Sequence, residues 1–568
     1  MEMKADKLNA ALLVTLALLC SACQPRDEAS GAYDLLIANG RIVDGTGSPA
    51  FEGDVGIRGQ RIAALGDLSE AEAERLIDAA GQVVAPGFID LHSHSSWYFL
   101  VDPRTPSKVT QGITLDIEGE GRSVAPIDDR YVAERAASYE RFGIDPDWRT
   151  LGEFFDRLDA NPAAINFASF VGTGNIRELA VGLDDRPATP EELVEMERLT
   201  AEAMEDGALG VFSALMYTPD RFNTTEELVL MAQVAGRYGG VYQTHQRSEG
   251  DALFESLDEV FHIARESGIR TNVTHLKAAY VANWGKMAEV VERINRAREE
   301  GLDIAADIYP YVWGAAGLRA LLPPWAREGG VVEIERRMGD PAIRDSIKRE
   351  LDVPTAEWEN EYLGAGGAVN FRIVDVQGNE NYLRYEGMML DEIASDLGKD
   401  PKDGIMDMIQ EGGAGFVSLL TDEIDLRLAM RQPWVAFGTD GRLAAPDGPL
   451  AAGLPHPRAY GTYPRILGRY VRELDVISLE EAIRKSTSLA AENIGVEDRG
   501  TLAEGLYADI VVFNPETIMD NATYQEPHRY STGVEYVVVN GEVVLDGGEI
   551  TDARPGVVVR GPGYRGDG

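Results

Sequence analysis

The chain has 568 residues, 44% hydrophobic and 26% charged, an ordinary globular mix long enough for a large domain plus a smaller one. Its 95 acidic residues outnumber 53 basic ones, giving a formal charge of −42, and no basic run or nucleic-acid motif occurs, so binding to a phosphate backbone is excluded. The only two cysteines are Cys20 and Cys23, so the rest of the chain can form neither a disulfide nor a thiolate metal site.

The first residues combine Lys4 and Lys7 with an apolar stretch from Ala10 to Leu19, too short to span a bilayer comfortably. A charged start, an apolar core and the small residues Ser21 and Ala22 make residues 1–22 a predicted signal peptide. The run Cys20-Ser21-Ala22-Cys23 resembles a bacterial lipobox, with Cys20 where leucine is more usual. It predicts lipidation of Cys23 and an exported protein on the periplasmic side, anchored at the outer membrane by that lipid; the alternative is a plain secreted protein. Residues 23–32 are polar and read as a tether.

From Tyr33 short apolar strands alternate with turn signals: Tyr33–Ala38, Asn39-Gly40, Arg41–Val43, Asp54–Arg58, Gly59-Gln60 and Arg61–Ala64. Residues 33–84 are thus an antiparallel β unit, and the same texture returns over 494–555 in Asp509–Phe513, Val534–Val539, Asn540-Gly541 and Glu542–Leu545. The two ends are expected to pair into one small β-sandwich. Between them, residues 85–493 alternate short apolar runs with amphipathic segments such as Pro190–Glu205, Glu226–Tyr238 and Leu479–Ala491. That rhythm predicts parallel strands with crossover helices, an α/β barrel of the (β/α)₈ kind. Residues 318–374, charged and rich in Pro and Gly, break it and read as an insertion over the barrel; residues 556–568 read as a loose tail.

Chemistry concentrates at the strand ends. In Asp90-Leu91-His92-Ser93-His94, residues two apart share a strand face, so His92 and His94 converge as a chelating pair above Asp90. His245 follows Val241–Thr244, His275 follows Asn272–Thr274, and Asp440 follows Trp434–Thr439. Each sits at the C-terminal end of a predicted strand, where such barrels carry their active sites. Four of seven histidines and an aspartate at equivalent places are poorly explained as independent accidents. His262, in the helical pattern Leu253–Glu266, and His528 read as structural, and His456 is ambiguous.

With these residues in view, the sequence resembles the N-acyl-D-amino-acid deacylase (D-aminoacylase) branch of the amidohydrolase superfamily. The resemblance is carried by Gly87–His94, Gln111–Pro126, His275–Lys277, Asp307–Tyr311, Gly438–Gly441, His456–Arg458, Gly461–Arg465 and Gly505–Asn514. It implies a metal-bearing (β/α)₈ barrel with a small β-sandwich made from both chain ends. By resemblance His92, His94 and Asp440 match one metal site, and His245 and His275 the other. One position departs: where the family has a cysteine ligand in a Gly-Asn-Cys-Gly-like turn, this chain reads Glu118-Gly119-Glu120-Gly121-Arg122. Ungapped, Gly121 stands opposite the cysteine; one deleted residue puts Glu120 there. A carboxylated lysine, the solution of other branches, is closed, because no lysine lies between Lys108 and Lys277. A glutamate should therefore complete the second site, Glu120 in preference to Glu118, although Asp116, Glu118 and Glu120 share one face by parity.

The expected cofactor is zinc, as one or two divalent ions, activating water for attack on an acyl carbonyl while Asp440 acts as general base and then acid. The carboxylate of the amino-acid half needs a cationic grip, which the resemblance assigns to Lys277, Arg458 and one of two tyrosines, Tyr309 in preference to Tyr311. The predicted partner is a small N-acylated amino acid or short peptide. Alternatives are a dipeptidase acting before a C-terminal D-residue, a cyclic-amide hydrolase, and a catalytically dead binding lipoprotein; the last is disfavoured because all five His/Asp ligands are present.

Overall fold

The computed structural model describes residues 32–566; the expected signal peptide and Cys23 lie outside the described residues. Strands β1 (Tyr33–Ile42), β2 (Phe51–Arg58), β3 (Arg61–Gly66), β4 (Ala73–Asp78) and β5 (Val83–Pro86) open the chain. Asn39-Gly40 is not a turn but a bulge inside β1, where the register with β2 shifts between Ile37 and Gly40. Glycine is required there because a Cβ on Gly40 would stand 2.4 Å from Val84 Cγ2.

The barrel follows as β6 (Phe88–Asp90), β7 (Ile113–Glu118), β8 (Asn166–Ser169), β9 (Val171–Gly172), β10 (Gly210–Ala214), β11 (Val241–His245), β12 (Thr271–Val273) and β13 (Ile304–Ile308). An insertion carries β14 (Trp313–Gly317), β15 (Phe371–Asp375) and β16 (Gly415–Leu419), and β17 (Val435–Phe437) completes the barrel. All barrel pairings are parallel, and β8 and β9 are halves of one strand interrupted at Phe170, so the β6-β7-β8 and β17-to-β9 sheets together make eight staves. Asp440 N donates to His92 O at 2.7 Å and closes the ring between the last and first staves. These strands are buried on both faces, which is why they read as unbroken apolar runs rather than alternating ones.

The crossover helices start where the sequence marks them. Thr189 and Thr224 each form a capping box, with Glu192 and Glu227 respectively, ahead of helices Pro190–Asp206 and Thr225–Arg237. After the barrel come β18 (Ile510–Phe513), β19 (Val534–Val539), β20 (Glu542–Asp546) and β21 (Glu549–Ile550). Antiparallel pairing of β18 with β5 joins the two chain ends into one nine-stranded sheet, folded over a core that includes Ile37, Val55, Val84, Ile510 and Val538.

Two expectations need correction. The insertion is larger than residues 318–374, because its sheet begins at Trp313 and ends at Leu419, with strand order β14-β16-β15 around its own core of Leu321, Phe371, Ile405 and Phe416. Its outer strands are short apolar runs that pattern alone cannot distinguish from barrel strands. The last residues are not a loose tail either. Val557 O accepts from Phe167 N at 3.0 Å, Val559 N donates to Phe167 O at 2.8 Å, and Gly561 N donates to Gly207 O at 2.8 Å. Gly556 permits this approach, since a Cβ there would meet Ile165 O at 2.1 Å.

Candidate metal centre

The C-terminal mouth of the barrel gathers side chains from five staves. His92 and His94 follow β6, Glu120 follows β7, His245 ends β11, His275 follows β12 and Asp440 follows β17. Left-handed backbone at His275 (φ 36) and Asp440 (φ 47) turns both inward just past their strands. Gly119 (φ 129) does the same for Glu120 and breaks the strand parity of Asp116, Glu118 and Glu120. Glu118 consequently stays between strands, accepting from Ser169 Oγ at 2.7 Å and Val124 N at 3.3 Å, while Glu120 enters the centre.

Glu120 presents one oxygen to each pair of imidazoles. Oε2 lies 3.1 Å from both His92 Nε2 and His94 Nε2, and Oε1 lies 2.8 Å from His245 Nδ1 and 3.7 Å from His275 Nε2. Asp440 Oδ1 is 3.0 Å from His94 Nε2 and 3.9 Å from His92 Nε2. Two groups result, His92-His94-Glu120-Asp440 and Glu120-His245-His275, sharing one carboxylate. Ligand atoms about 2 Å from a common ion stand about 3 to 4 Å from one another, which is the spacing here. The imidazole nitrogens of His245 and His275, 3.0 Å apart, suit a shared cation better than a direct bond. Burial opposes charge on Glu120, yet the imidazoles of His92, His245 and His275 hold its carboxyl well below the usual range. Burial also opposes charge on Asp440, where Arg458 and His92 outweigh it and keep the carboxyl ionised. The donors are hard oxygens and imidazoles with no sulfur, a set that suits zinc.

A second ring of side chains, largely missed by sequence reasoning, holds this cluster. Glu249 Oε1 is 2.8 Å from His275 Nδ1 and 2.6 Å from Lys277 Nζ, which directs His275 Nε2 toward the centre. Asp307 accepts from His275 N at 2.9 Å. Beneath the His92-to-His94 turn, the buried Lys108 ammonium donates to Asp90 at 2.6 Å, Ser93 Oγ at 3.1 Å, Thr439 Oγ1 at 3.2 Å and Gly441 O at 3.0 Å, and pairs with Asp116 at 3.0 Å. Asp90 accepts from Thr439 N at 2.7 Å. Lys108 thus ties the first, second and last staves together on either side of Asp440.

The expected substrate grip surrounds the same cavity, of about 1090 Å³. Arg458 forks onto Asp440 at 2.9 and 3.0 Å, and its guanidinium lies 4.7 Å from the Tyr309 ring centroid. Lys277 Nζ lies 5.8 Å from the same centroid. The ambiguous His456 is buried: Nδ1 accepts from Arg458 N at 3.0 Å and Nε2 donates to Trp313 O at 2.9 Å. Burial and then the Arg458 charge hold it neutral. His262 is exposed on its helix, and His528 bonds Tyr460 and Gly453, away from the centre.

An eight-stave parallel barrel whose mouth gathers four imidazoles and two carboxylates defines a metal-dependent hydrolase. Residues 75–377 and 404–545 match the profile of an amidohydrolase family, and the chain belongs to that family. Among its relatives is an N-acyl-D-glutamate deacylase of Alcaligenes xylosoxydans xylosoxydans, 35% identical over 93% of this chain and 96% of the relative. The D-aminoacylase of the same organism is 33% identical over 93% of this chain and 98% of its own length. The crystal structure of N-acyl-D-glutamate deacylase from Bordetella bronchiseptica, complexed with zinc and a phosphonate mimic of the tetrahedral intermediate, superposes with a TM-score of 0.78 at 32% identity. It covers 93% of this chain and 100% of that one.

Proposed function

We infer that the protein is a zinc-dependent amide hydrolase that removes the acyl group from N-acyl-D-amino acids, releasing a carboxylate and a free D-amino acid. The observation that carries this reading is Glu120, set with one oxygen toward each imidazole pair and with the ionised Asp440 beside it. The relatives' names supply the D-amino-acid class and the Bordetella complex supplies zinc.

One or two zinc ions would be held by His92, His94, Glu120 and Asp440 on one side and by Glu120, His245 and His275 on the other. When bound, such an ion supplies Lewis acidity to a carbonyl and lowers the pKa of water toward neutrality. Asp440 takes the proton of the attacking water and then delivers it to the amide nitrogen, because an unprotonated amide anion is too poor a leaving group. Lys277, Tyr309 and Arg458 receive the carboxylate of the amino-acid half, with the Arg458 fork shared between that carboxylate and Asp440. His456 keeps Arg458 in place through its backbone N–H. The insertion roofs the mouth and limits water around the reacting bond.

The test is amine release from paired N-acetyl-D- and N-acetyl-L-amino acids by the zinc-loaded protein. Release from the D-series, abolished by Asp440→Asn, supports the reading; absence of release from the whole D-series overturns it. Export and a lipid on Cys23 belong to the same proposal. Incorporation of labelled fatty acid that disappears in Cys23→Ala tests them.

A further inference from the structure

A small side chamber opens off the catalytic cavity. It has a volume of about 160 Å³ and shares Arg122, Glu134, Tyr217, Thr218, Arg319 and Val331 with the main cavity. Its distinctive wall residue is Arg327, in the short helix Pro324–Arg327 of the insertion. Arg327 is only 4% exposed. One terminal nitrogen donates to Met216 O at 3.1 Å, and Nε has no partner. Among the described residues no carboxylate lies within ion-pairing distance of it. The carboxylate that weighs on it is Glu359, from beyond contact. Burial, and then the neighbouring Arg221 cation, push its pKa down to about 9. The other arginines of the chamber are already matched, Arg122 by Glu178 at 2.7 Å and Arg319 by Glu335 at 3.1 Å. Glu134, also in the chamber wall, pairs with Arg130 at 3.3 Å.

A chain with 95 acidic residues that leaves a buried guanidinium without a carboxylate has left it for something else to satisfy. A planar fork in a narrow chamber suits a carboxylate. Topology says which half of the substrate brings it. Lys277, Tyr309 and Arg458 follow the sixth, seventh and eighth staves, whereas Arg122 and Tyr217 follow the second and fourth. Arg327 crosses the mouth to reach Met216, just past that fourth stave. The halves of an amide leave the carbonyl carbon in opposite directions. With the amine half on the Arg458 side, the acyl half points toward the side chamber, past Tyr217, whose ring meets His245 edge-on at 5.4 Å.

We propose that this chamber is a carboxylate subsite for the acyl half, read by Arg327, so that the preferred substrates are N-acyl-D-amino acids whose acyl chain ends in a carboxylate, of the succinyl or glutaryl kind. The proposal rests on the deacylase reading and narrows its substrate class.

The zinc-loaded protein and its Arg327→Met variant are compared on two pairs: N-glutaryl- against N-pentanoyl-D-leucine, and N-acetyl-D-glutamate against N-acetyl-D-leucine. An acyl carboxylate should raise kcat/KM at least about tenfold, and the gain should vanish in the variant. Equal rates on the first pair in the wild-type protein overturn the proposal even if the variant does not fold. A gain on the second pair alone that disappears in Arg327→Met also overturns it, by placing the carboxylate on the amine half. Should no pair be hydrolysed, the deacylase reading fails by itself, and calorimetry with glutarate and pentanoate still reads the chamber. Tighter glutarate binding that is lost in Arg327→Met supports the subsite, and equal binding overturns it.

Discussion

Replacing Lys108 by methionine tests whether the buried brace beneath the centre positions Asp440. The substitution keeps the side chain's length and removes its charge, along with the contacts to Asp90 at 2.6 Å and Asp116 at 3.0 Å, all with no exposed side-chain surface. Breaking a buried pair from one side costs about 3–5 kcal/mol, because the abandoned charge has lost its partner. The two carboxylates are not left equally badly off. Asp90 keeps bonds from Thr439 N at 2.7 Å and Thr439 Oγ1 at 2.6 Å, whereas Asp116 keeps only Ser95 Oγ at 2.8 Å and has an unpartnered Oδ1. Asp116 is the carboxylate left with fewer donors. Burial raises the Asp90 carboxyl and Lys108 opposes that rise, so without Lys108 Asp90 should take up a proton more readily, making the deficit larger at pH 8 than at pH 5. A companion Asp116→Asn should recover about 1–3 kcal/mol, as coupling within one network allows. Gly441 O also loses its Lys108 bond, so the Asp440 loop loosens. A displacement on the order of 1 Å costs about 10²-fold in kcat. Urea unfolding at both pH values, with kcat at matched zinc content, measures both effects. A Lys108→Met protein within about 1 kcal/mol of wild type, or one with unchanged kcat, would refute the reasoning.

Glu120→Gln should weaken zinc binding at least about tenfold in chelator competition, because the carboxylate common to both ligand groups is lost. Arg458→Met should raise KM for N-acetyl-D-amino acids by about 10²-fold as the carboxylate loses its fork, and it should also lower kcat because Asp440 loses its 2.9 Å partner; steady-state kinetics separate the two. Lys485 is fully buried, and burial lowers its pKa from 10.5 to about 8, so the folded state disfavours the charged form. Its contribution is fully present above pH 10.5 and is lost as pH falls through about 8. Wild-type stability should rise across that window by up to about 3 kcal/mol, and Lys485→Met should remove the slope in denaturant titrations.

The barrel, its helices and five of the six centre residues were legible in the sequence because each follows a local rule. The His92/His94 pair depends on strand period, and His245, His275 and Asp440 depend on ending an apolar run. Thr189 with Glu192 and Thr224 with Glu227 announce their helices by capping. The choice between Glu118 and Glu120 was not decided by parity, because Gly119 leaves the strand conformation and turns the next side chain inward. Asn39-Gly40 has the composition of a turn but serves the close approach of Val84, which is distant in sequence.

Local pattern thus determined the fold class, the identity of most centre residues and the pairing of the two chain ends. Only the tertiary structure revealed what depends on groups far apart along the chain. Glu249 reaches His275 and Lys277 from a loop with no strand parity. Lys108 binds groups brought together only when the first and last staves close the barrel. Arg327 meets Met216 only because the insertion folds back across the mouth. Backbone period and capping act over a few residues, so the sequence displays them directly; burial and charge pairing depend on distances that exist only once the chain has closed on itself.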